Sequence, residues 1–360
     1  MKLKIAQVSP LFESVPPRLY GGTERVVSYL TDALVEMGHE VTLFATGDSI
    51  TKARLVPVYY KALRLGHCTD PLALHVLQLQ EVAERAHEFD ILHFHTDYLH
   101  FPVSRLLNLH TVNTLHGRLD IPELKRVYSR FLETPVVSIS NAQRAPLPMA
   151  KWVGTVYHGL PENLYQPGSG QGDYVLFLGR ISPEKRPDRA IEIAGRAGIK
   201  IRIAAKIDEA DMQYYEQLIK PLLQQPHVEF IGEVGEQVKG ELLGNARALL
   251  FPVDWPEPFG MVMIEALACG TPVIAFNHGS VPEVIRDGQT GYIVDSTEAA
   301  VQALTDIDKI DRRRCRQEFE QKFTASRMAQ AYASIYTQLL QQQPPYTRRT
   351  LTGKTDLVYE

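Results

Sequence analysis

The sequence contains few cysteines, no long hydrophobic run and little net charge, and each shortage excludes a class of protein. Its 360 residues include only three cysteines, Cys68, Cys269 and Cys315. Cysteines so widely separated favour neither a disulfide framework nor a zinc site, and they are typical of a reducing compartment. We therefore expect a cytoplasmic protein without structural disulfides.

Charge and hydropathy exclude further classes. A formal net charge of -4 disfavours a nucleic-acid partner bound through overall charge. Residues 2–4 lead directly into a short apolar stretch, so the sequence predicts neither a signal peptide nor a membrane-spanning helix. An arginine cluster at 312–316 is expected to form a solvated helix face, and contact with an acidic lipid or nucleic acid is the less favoured alternative. Peripheral membrane contact stays open.

Length and patterning predict two domains, because 360 residues exceed what one hydrophobic core usually spans. Between the first two apolar runs, Val26, Leu30 and Leu34 share one helical face, and strand-helix-strand order predicts a parallel sheet. The predicted strands are 5–8, 41–45, 91–94, 113–115 and 136–139, followed by 174–179, 201–204, 228–231, 248–251 and 272–275.

A segment rich in glycine, proline and polar residues, 160–172, separates the two series of strands and is predicted to be the linker. The sequence thus predicts two doubly wound, Rossmann-like domains, at 1–165 and 166–322. A helix at 323–340 is expected to pack back on the first domain, and 341–360 is expected to be a flexible tail.

Two loops at equivalent strand ends carry groups that suit a phosphate. Gly21 and Gly22 precede the first predicted helix, where the backbone and the helix N-terminus can approach an anion. Arg180 and Lys185 follow the first strand of the second domain, where they can neutralise a diphosphate leaving group without a metal. A plain turn and a surface pairing with Glu184 are the respective alternatives. No G-x-G-x-x-G dinucleotide motif follows a predicted strand.

Two glutamates flank a predicted helix start in the second domain. Prolines on either side of Glu257 stiffen the chain before Gly260, after which helix-forming residues begin. Glu265 lies just over two helical turns beyond Glu257, so both carboxylates can reach one polyol or anionic ligand. A proline-bounded turn with a solvated Glu257 is the alternative.

These motifs occur in an order that resembles the retaining GT-B glycosyltransferases of family 4. The resemblance covers nearly the whole chain before residue 341 and implies two Rossmann-like domains facing a central cleft, with metal-independent hexosyl transfer. The positions that carry it are Gly21, Gly22, His116, Gly179, Arg180, Lys185, Glu257, Gly260 and Glu265, with the segments 270–275, 279–285 and 288–294.

The resemblance also implies roles. Glu257 would bind hydroxyls of the donor sugar, Glu265 the nucleotide ribose, and Arg180 with Lys185 the diphosphate. His116 is assigned to positioning the sugar rather than to general base catalysis, although a structural histidine is the alternative from the sequence alone. The residues expected to act in catalysis are His116, Arg180, Lys185 and Glu257. The other expected donor contacts are Gly21, Gly22, Ile231, Phe259, Gly260 and Met261.

Two clusters resemble metal sites. His93, His95 and Asp97 alternate on one strand face, and without a fourth ligand they are interpreted as a wall of the acceptor cleft or as a hydrogen-bonded strand end. Asp306 and Asp308 match the D-x-D motif of a different glycosyltransferase fold, but they lie in a charged helical stretch after the last predicted strand. Neither cluster is predicted to hold a metal.

The expected partners are a nucleoside-diphosphate sugar, with UDP favoured over GDP, and an acceptor that is a saccharide, a lipid-linked molecule or a small molecule. No cofactor and no nucleic-acid partner are expected. Base specificity is placed near residues 230–234, mainly through backbone contacts. Two alternatives keep the same fold: a sugar-nucleotide epimerase and a non-enzymatic nucleotide-sugar-binding protein.

Overall fold

The computed structural model describes residues 2–18 and 21–342, which form two parallel sheets flanked by helices. The strands are β1 (Lys4–Val8), β2 (Glu40–Thr46), β3 (Arg54–Tyr59), β4 (Ile91–Phe94), β5 (Thr111–Thr114), β6 (Pro135–Ser138) and β7 (Lys151–Thr155) in the first sheet, and β8 (Tyr174–Ile181), β9 (Lys200–Ile207), β10 (Val228–Phe230), β11 (Leu249–Phe251), β12 (Val273–Phe276) and β13 (Gly291–Val294) in the second.

The helices lie between successive strands, except for the last three, which follow β13. They are α1 (Gly22–Glu36), α2 (Pro71–Arg85), α3 (Phe101–Leu107), α4 (Pro122–Arg130), α5 (Pro187–Arg196), α6 (Met212–Tyr214), α7 (Lys220–Leu222), α8 (Glu236–Asn245), α9 (Met261–Ala268), α10 (Val281–Val284), α11 (Thr297–Thr305), α12 (Arg312–Lys322) and α13 (Ala325–Gln342). A π-helical turn, Tyr215–Ile219, joins α6 to α7.

The strand order is β3-β2-β1-β4-β5-β6-β7 in the first sheet and β10-β9-β8-β11-β12-β13 in the second, and every pairing is parallel. Alternate side chains of β1 enter cores on opposite faces: Ile5 packs with α1 and α13, whereas Ala6 packs with Val82 of α2. The predicted pair of doubly wound domains is confirmed.

Three strands, β3, β7 and β13, were not predicted, and all three lie at sheet edges. Strands buried on both faces are recognised by continuous apolar runs. β3 contains Pro57 and only Val56 is buried, while no residue of β7 is fully buried. β3 and β7 therefore lack the hydrophobic signal on which the prediction depends, although β10, another edge strand, was predicted. Each of the other strands overlaps a predicted one.

The arginine cluster is only partly the solvated face that was predicted. Arg313 is exposed, but Arg312 donates to the carbonyls of Gly168, Gly244 and Ala246. Arg316 likewise donates to the carbonyls of three residues, Glu162, Tyr165 and Ala268. The prediction was wrong for these two side chains, because they bind backbone carbonyls of the linker and the second domain instead of facing solvent.

The C-terminal helix α13 packs on the first domain. Its apolar stripe, including Met328, Tyr332 and Tyr336, is buried against α1 and the first sheet. The chain returns to that domain beside the linker, where Leu160 N donates to Phe323 O at 2.9 Å and Ala325 N donates to Leu160 O at 2.7 Å. Both crossings between domains thus lie side by side. The tail was expected at 341–360, but Gln341 and Gln342 belong to α13, and residues 343–360 fall outside the described residues.

Among residues 2–18 and 21–342, no helix combines the length and apolar character needed to cross a membrane.

Candidate active site

The topology brings the predicted loops to one cleft. In each sheet the strand order reverses at one strand, β1 in the first and β8 in the second, and ligands of such sheets bind beyond the carboxyl ends of the strands at this point. Gly22 follows β1, Lys185 follows β8, and Glu257 follows β11, the neighbour of β8. The three segments therefore meet although they are far apart in sequence.

A cavity of about 400 Å³ lies between the two domains. The predicted residues in its walls are Gly21, Gly22, His116, Arg180, Lys185, Glu257, Phe259, Gly260, Met261 and Glu265. Ile231 is not among the lining residues, and its N–H is bonded to Ile203 O at 2.9 Å within the sheet. Glu233 and Val234 line that side of the cavity instead.

Lys185 and Glu257 form a direct ion pair in the cavity wall. Their side chains are only 16% and 9% exposed, so water screens the pair weakly. The same carboxylate oxygen accepts a hydrogen bond of 3.0 Å from Trp255 Nε1, and Lys185 Nζ lies 5.2 Å from the centroid of the Trp255 ring. One charged cluster therefore contains both the predicted diphosphate ligand and the predicted sugar ligand.

Gly279 fixes the backbone of Glu257. Its φ is +57°, and a Cβ at this position would lie 2.3 Å from the carbonyl oxygen and 2.4 Å from the nitrogen of Glu257. The neighbouring Ser280 N donates to Glu257 O at 2.9 Å. Only glycine permits this close approach, so residues 279 and 280 hold the loop that carries the carboxylate.

Helix α9 begins at the cavity, as predicted. Gly260 has a left-handed conformation with φ 76°, and the first helical residues, Met261 and Val262, line the cavity. The first N–H groups of a helix have no partner within it and carry partial positive charge. On the opposite wall, a Cβ on Gly22 would meet nothing within 4 Å, which leaves its backbone accessible.

Glu265 belongs to a chain of charges that spans the cleft. Lys239 Nζ lies 2.7 Å from Glu265 Oε1 and 3.1 Å from Glu236 Oε1. Glu236 also pairs with Arg25 on α1 of the first domain. Sequence reasoning did not find Arg25, Glu236 or Lys239, and no local motif marks them.

Arg180 fits both interpretations given to it from the sequence, a residue of the cleft and a partner of Glu184. It lines the cavity, and its Nη2 donates to Glu184 Oε1 at 2.8 Å. Its Nη1 lies 3.5 Å from Asp208 Oδ2. The guanidinium is thus held at the edge of the cleft by carboxylates, with its side chain 28% exposed.

A second histidine, His158, lies beside His116. The two rings are nearly parallel, with centroids 5.2 Å apart, and both line the cavity. Burial lowers the pKa of His116 to about 3 and that of His158 well below its ordinary value, so both rings are neutral at physiological pH. His158 was missed: its His-Gly pair matches that at His116, but the strand before it, β7, was not predicted.

The His93 and His95 rings form a hydrogen-bonded strand end, one of the two predicted readings. His93 Nε2 lies 2.7 Å from Thr114 Oγ1, and His95 Nε2 lies 2.8 Å from Gln7 Oε1. Asp97, with φ +51°, lies beyond the strand.

In the described part of the chain no group of His, Cys, Asp and Glu side chains is arranged to hold a metal. The other aspartates, Asp306 and Asp308, pair with Lys309 and Arg247.

Acid is expected to destabilise the folded protein through its buried histidines. Burial lowers the pKa values of His93, His95, His100, His116 and His158. The unfolded chain takes up protons on these rings below the ordinary pKa of 6.5, but folded His100 and His116 do so only near 3. The contribution of these rings to the free energy of unfolding should therefore be largest above pH 6.5. It should fall towards pH 3, by up to about 1.4 kcal/mol per pH unit for each ring.

Denaturant unfolding at a series of pH values measures this slope. His100→Asn should reduce it, whereas substitution of the exposed His87 by asparagine should leave it unchanged. Equal slopes in the wild type and both variants would contradict the assignment to buried rings.

Comparisons with known proteins agree with this architecture. A family model described as glycosyl transferases group 1 matches residues 166–322, and one described as glycosyltransferase family 4 matches residues 20–151. The N-acetyl-alpha-D-glucosaminyl L-malate synthase of Bacillus anthracis is 27% identical over 367 residues, which cover 89% of this chain and 94% of that protein.

Solved structures share the fold at lower identity. Sucrose-phosphate synthase from Thermosynechococcus elongatus aligns with a TM-score of 0.78 and 20% identity, over 95% of this chain and 100% of that one. The Anabaena protein HepE, solved with UDP and glucose, aligns with a TM-score of 0.71 and 18% identity, over 93% and 100% of the respective chains. The resemblance seen in the sequence is thus confirmed, and the chain belongs to the family 4, or group 1, glycosyltransferases of the GT-B fold.

Proposed function

We propose that this glycosyltransferase moves a hexose from a nucleoside-diphosphate sugar to an acceptor hydroxyl, with retention of anomeric configuration. The observation that carries the proposal is the charged cluster in the cleft, where the Lys185 ammonium contacts Glu257 in the loop before α9. Such a cluster offers cations to a diphosphate and a carboxylate to sugar hydroxyls within one cavity. Glu265, on the same helix, is the ligand for the ribose.

Arg180 and Lys185 hold the diphosphate and stabilise the charge that grows on it as the glycosidic bond breaks. The backbone at Gly22 approaches the diphosphate from the other domain. The bond from the anomeric carbon to the diphosphate oxygen breaks, and a bond to the acceptor oxygen forms on the same face. The acceptor proton passes to the departing diphosphate oxygen, so neither glutamate takes part in proton transfer.

His116 positions the sugar. Its pKa of about 3 leaves the ring uncharged at neutral pH, so it offers no positive charge to the diphosphate. The first domain closes over the donor through contacts such as the Arg25–Glu236 ion pair, which crosses the cleft. Closure excludes water that would otherwise hydrolyse the donor.

A donor panel tests the proposal. We expect UDP-sugars to raise the melting temperature more than GDP-sugars, because a ligand that binds only the native state stabilises it. The solved complex of HepE with UDP and glucose supports UDP as the first nucleotide to test. Diphosphate release with the stabilising donor should follow when an acceptor is present. If no nucleoside-diphosphate sugar changed the melting temperature, the proposal would fail.

Glu265→Ala should weaken binding of UDP itself. A hydrogen bond to a charged group contributes about 1.5–3 kcal/mol, so affinity should fall by about ten- to a hundredfold. Calorimetric titration with UDP, which lacks the sugar, measures this loss. Glu257→Ala is the matched variant and should bind UDP nearly as the wild type does. If Glu265→Ala changed only the sugar-dependent part of the affinity, the roles of the two glutamates would be reversed.

Activity should survive chelation. In the proposal, Arg180 and Lys185 supply the positive charge that a divalent cation supplies in metal-dependent transferases. The initial rate is measured after treatment with EDTA and again after addition of magnesium or manganese, and the three rates should agree. A rate abolished by EDTA and restored by either metal would refute this part of the proposal.

A further inference from the structure

A row of buried polar side chains lies directly beneath His116. Gln7 on β1 contacts His95, which follows β4, and His95 contacts His116, which follows β5. The distances are 2.8 Å from Gln7 Oε1 to His95 Nε2 and 2.8 Å from His95 Nδ1 to His116 Nε2. Gln7 is 0% and His95 2% exposed, so water does not compete for these contacts.

The order of atoms fixes where the protons lie. An amide oxygen only accepts, so His95 carries its proton on Nε2. Burial holds the pKa of His95 well below its ordinary value, and the neutral ring therefore keeps a lone pair on Nδ1. That lone pair accepts from His116 Nε2–H. His116, whose pKa is lowered to about 3, is then left with a lone pair on Nδ1.

The C-terminal helix fixes the orientation of the Gln7 amide. Gln7 Nε2 donates to the Tyr336 hydroxyl at 3.2 Å, and this hydroxyl lies 2.7 Å from His93 Nδ1. On its other side, His93 Nε2 lies 2.7 Å from Thr114 Oγ1. With its nitrogen turned to the Tyr336 hydroxyl, which accepts the amide proton, the Gln7 amide presents its oxygen to His95. A helix from the far end of the chain thus sets the direction of the whole row.

We infer that Gln7 and His95 are positioning residues that hold His116 in its Nε2-protonated tautomer, so that Nδ1 accepts a hydrogen bond from a hydroxyl of the bound sugar. Nδ1 of His116 is buried and has no hydrogen-bond partner among residues 2–18 and 21–342. A hydroxyl can donate to this atom, whereas a diphosphate oxygen cannot. The row therefore favours binding of the sugar, and not the diphosphate, beside His116. The sugar contact rests on the proposed function; the tautomer does not.

Nitrogen NMR of the histidine rings in the full chain tests the tautomer without any substrate. The His116 signals are assigned by their loss in His116→Gln. We expect Nδ1 of His116 to resonate as an unprotonated nitrogen and Nε2 as a protonated one. A protonated Nδ1 would overturn the inference, whatever donor the enzyme uses.

Variants test the row itself. Gln7→Met should no longer hold His116 in its Nε2-protonated tautomer. It should lower kcat/KM for the sugar donor by about tenfold, the effect of one hydrogen bond, without changing the Kd for UDP. Gln7→Glu keeps an acceptor facing His95 and should keep the tautomer. Tyr332→Phe is the control, since this hydroxyl contacts the far end of the row, at Thr114 Oγ1 (2.8 Å).

The outcomes separate the two proposals. Retention of the wild-type tautomer in folded Gln7→Met would overturn the role given to Gln7. An equal loss of UDP affinity would show general damage to the site and would also count against it. If the wild type shows the expected tautomer but turns over no sugar donor, the proposed function fails while the assignment of Gln7 and His95 holds.

Discussion

Replacing Lys185 by alanine is expected to lower turnover by about a hundredfold or more while the protein keeps its fold. The ammonium lies in the cavity wall against Glu257, and its side chain is only 16% exposed. A cation in such a site stabilises charge on a leaving diphosphate more strongly than one in water. The interaction strengthens as the bond breaks, so its loss should appear in kcat rather than in KM.

Steady-state kinetics with a saturating donor measure the effect. Lys220→Ala is the matched control, because Lys220 is an exposed lysine of the same domain that pairs with Glu216 on its own helical stretch. This variant should retain wild-type turnover. Circular dichroism and the melting temperature establish that Lys185→Ala is folded. Near-normal kinetics in Lys185→Ala would remove this residue from the site.

Glu257→Ala is expected to reduce kcat/KM for the sugar donor by about a hundredfold or more. Two hydrogen bonds from sugar hydroxyls to a carboxylate contribute about 1.5–3 kcal/mol each. The substitution also leaves Lys185 without its ion-pair partner, although Trp255 still packs beside it. We expect the KM for the donor to rise and the affinity for UDP to change little, because the lost contacts belong to the sugar.

Kinetics with donor and titration with UDP are measured on the same preparation. Glu241→Ala removes an exposed glutamate of the same domain and should behave as the wild type. Glu257→Gln keeps hydrogen-bonding capacity without the charge and should fall between the wild type and Glu257→Ala. An unchanged kcat/KM in Glu257→Ala would remove this residue from the sugar site.

The sequence predicted those parts of the site that depend on local signals. The helix start at Gly260 was visible because proline, glycine and helix-forming residues follow one another, and α9 begins directly after this glycine. The alternation of strands and helices predicted parallel sheets, and parallel sheets place ligand loops at switch points. Because Gly22, Lys185 and Glu257 each follow a strand of such a sheet, their positions along the chain were enough to predict that they meet in one cleft.

Contacts between distant segments were not predictable in this way. Lys239 meets Glu265 across 26 positions, and Arg25 meets Glu236 across 211. No periodic pattern links such residues, because their meeting depends on how helices and domains pack. The same holds for Arg312, whose guanidinium binds carbonyls that only the folded linker brings together.

Ile231 shows a different limit of predicting ligand contacts from the sequence. The segment 230–234 was expected to contact the donor base; its residues Glu233 and Val234 line the cavity, but the N–H of Ile231, the one named donor contact among them, is used by the sheet. A shift of two residues lies within the error of predicting where a strand ends. Side-chain identity alone does not show which backbone groups remain available for a ligand.

The most direct test of the account is the balance between donor consumed and product formed. The wild-type enzyme is incubated with the stabilising donor and a pooled panel of saccharide, lipid-linked and small-molecule acceptors. Released nucleoside diphosphate and product mass are then quantified together. We expect one diphosphate to be released for each acceptor that gains a hexosyl residue, and both to be lost in Lys185→Ala. Conversion of the donor into an isomer without diphosphate release, as in an epimerase, would contradict it.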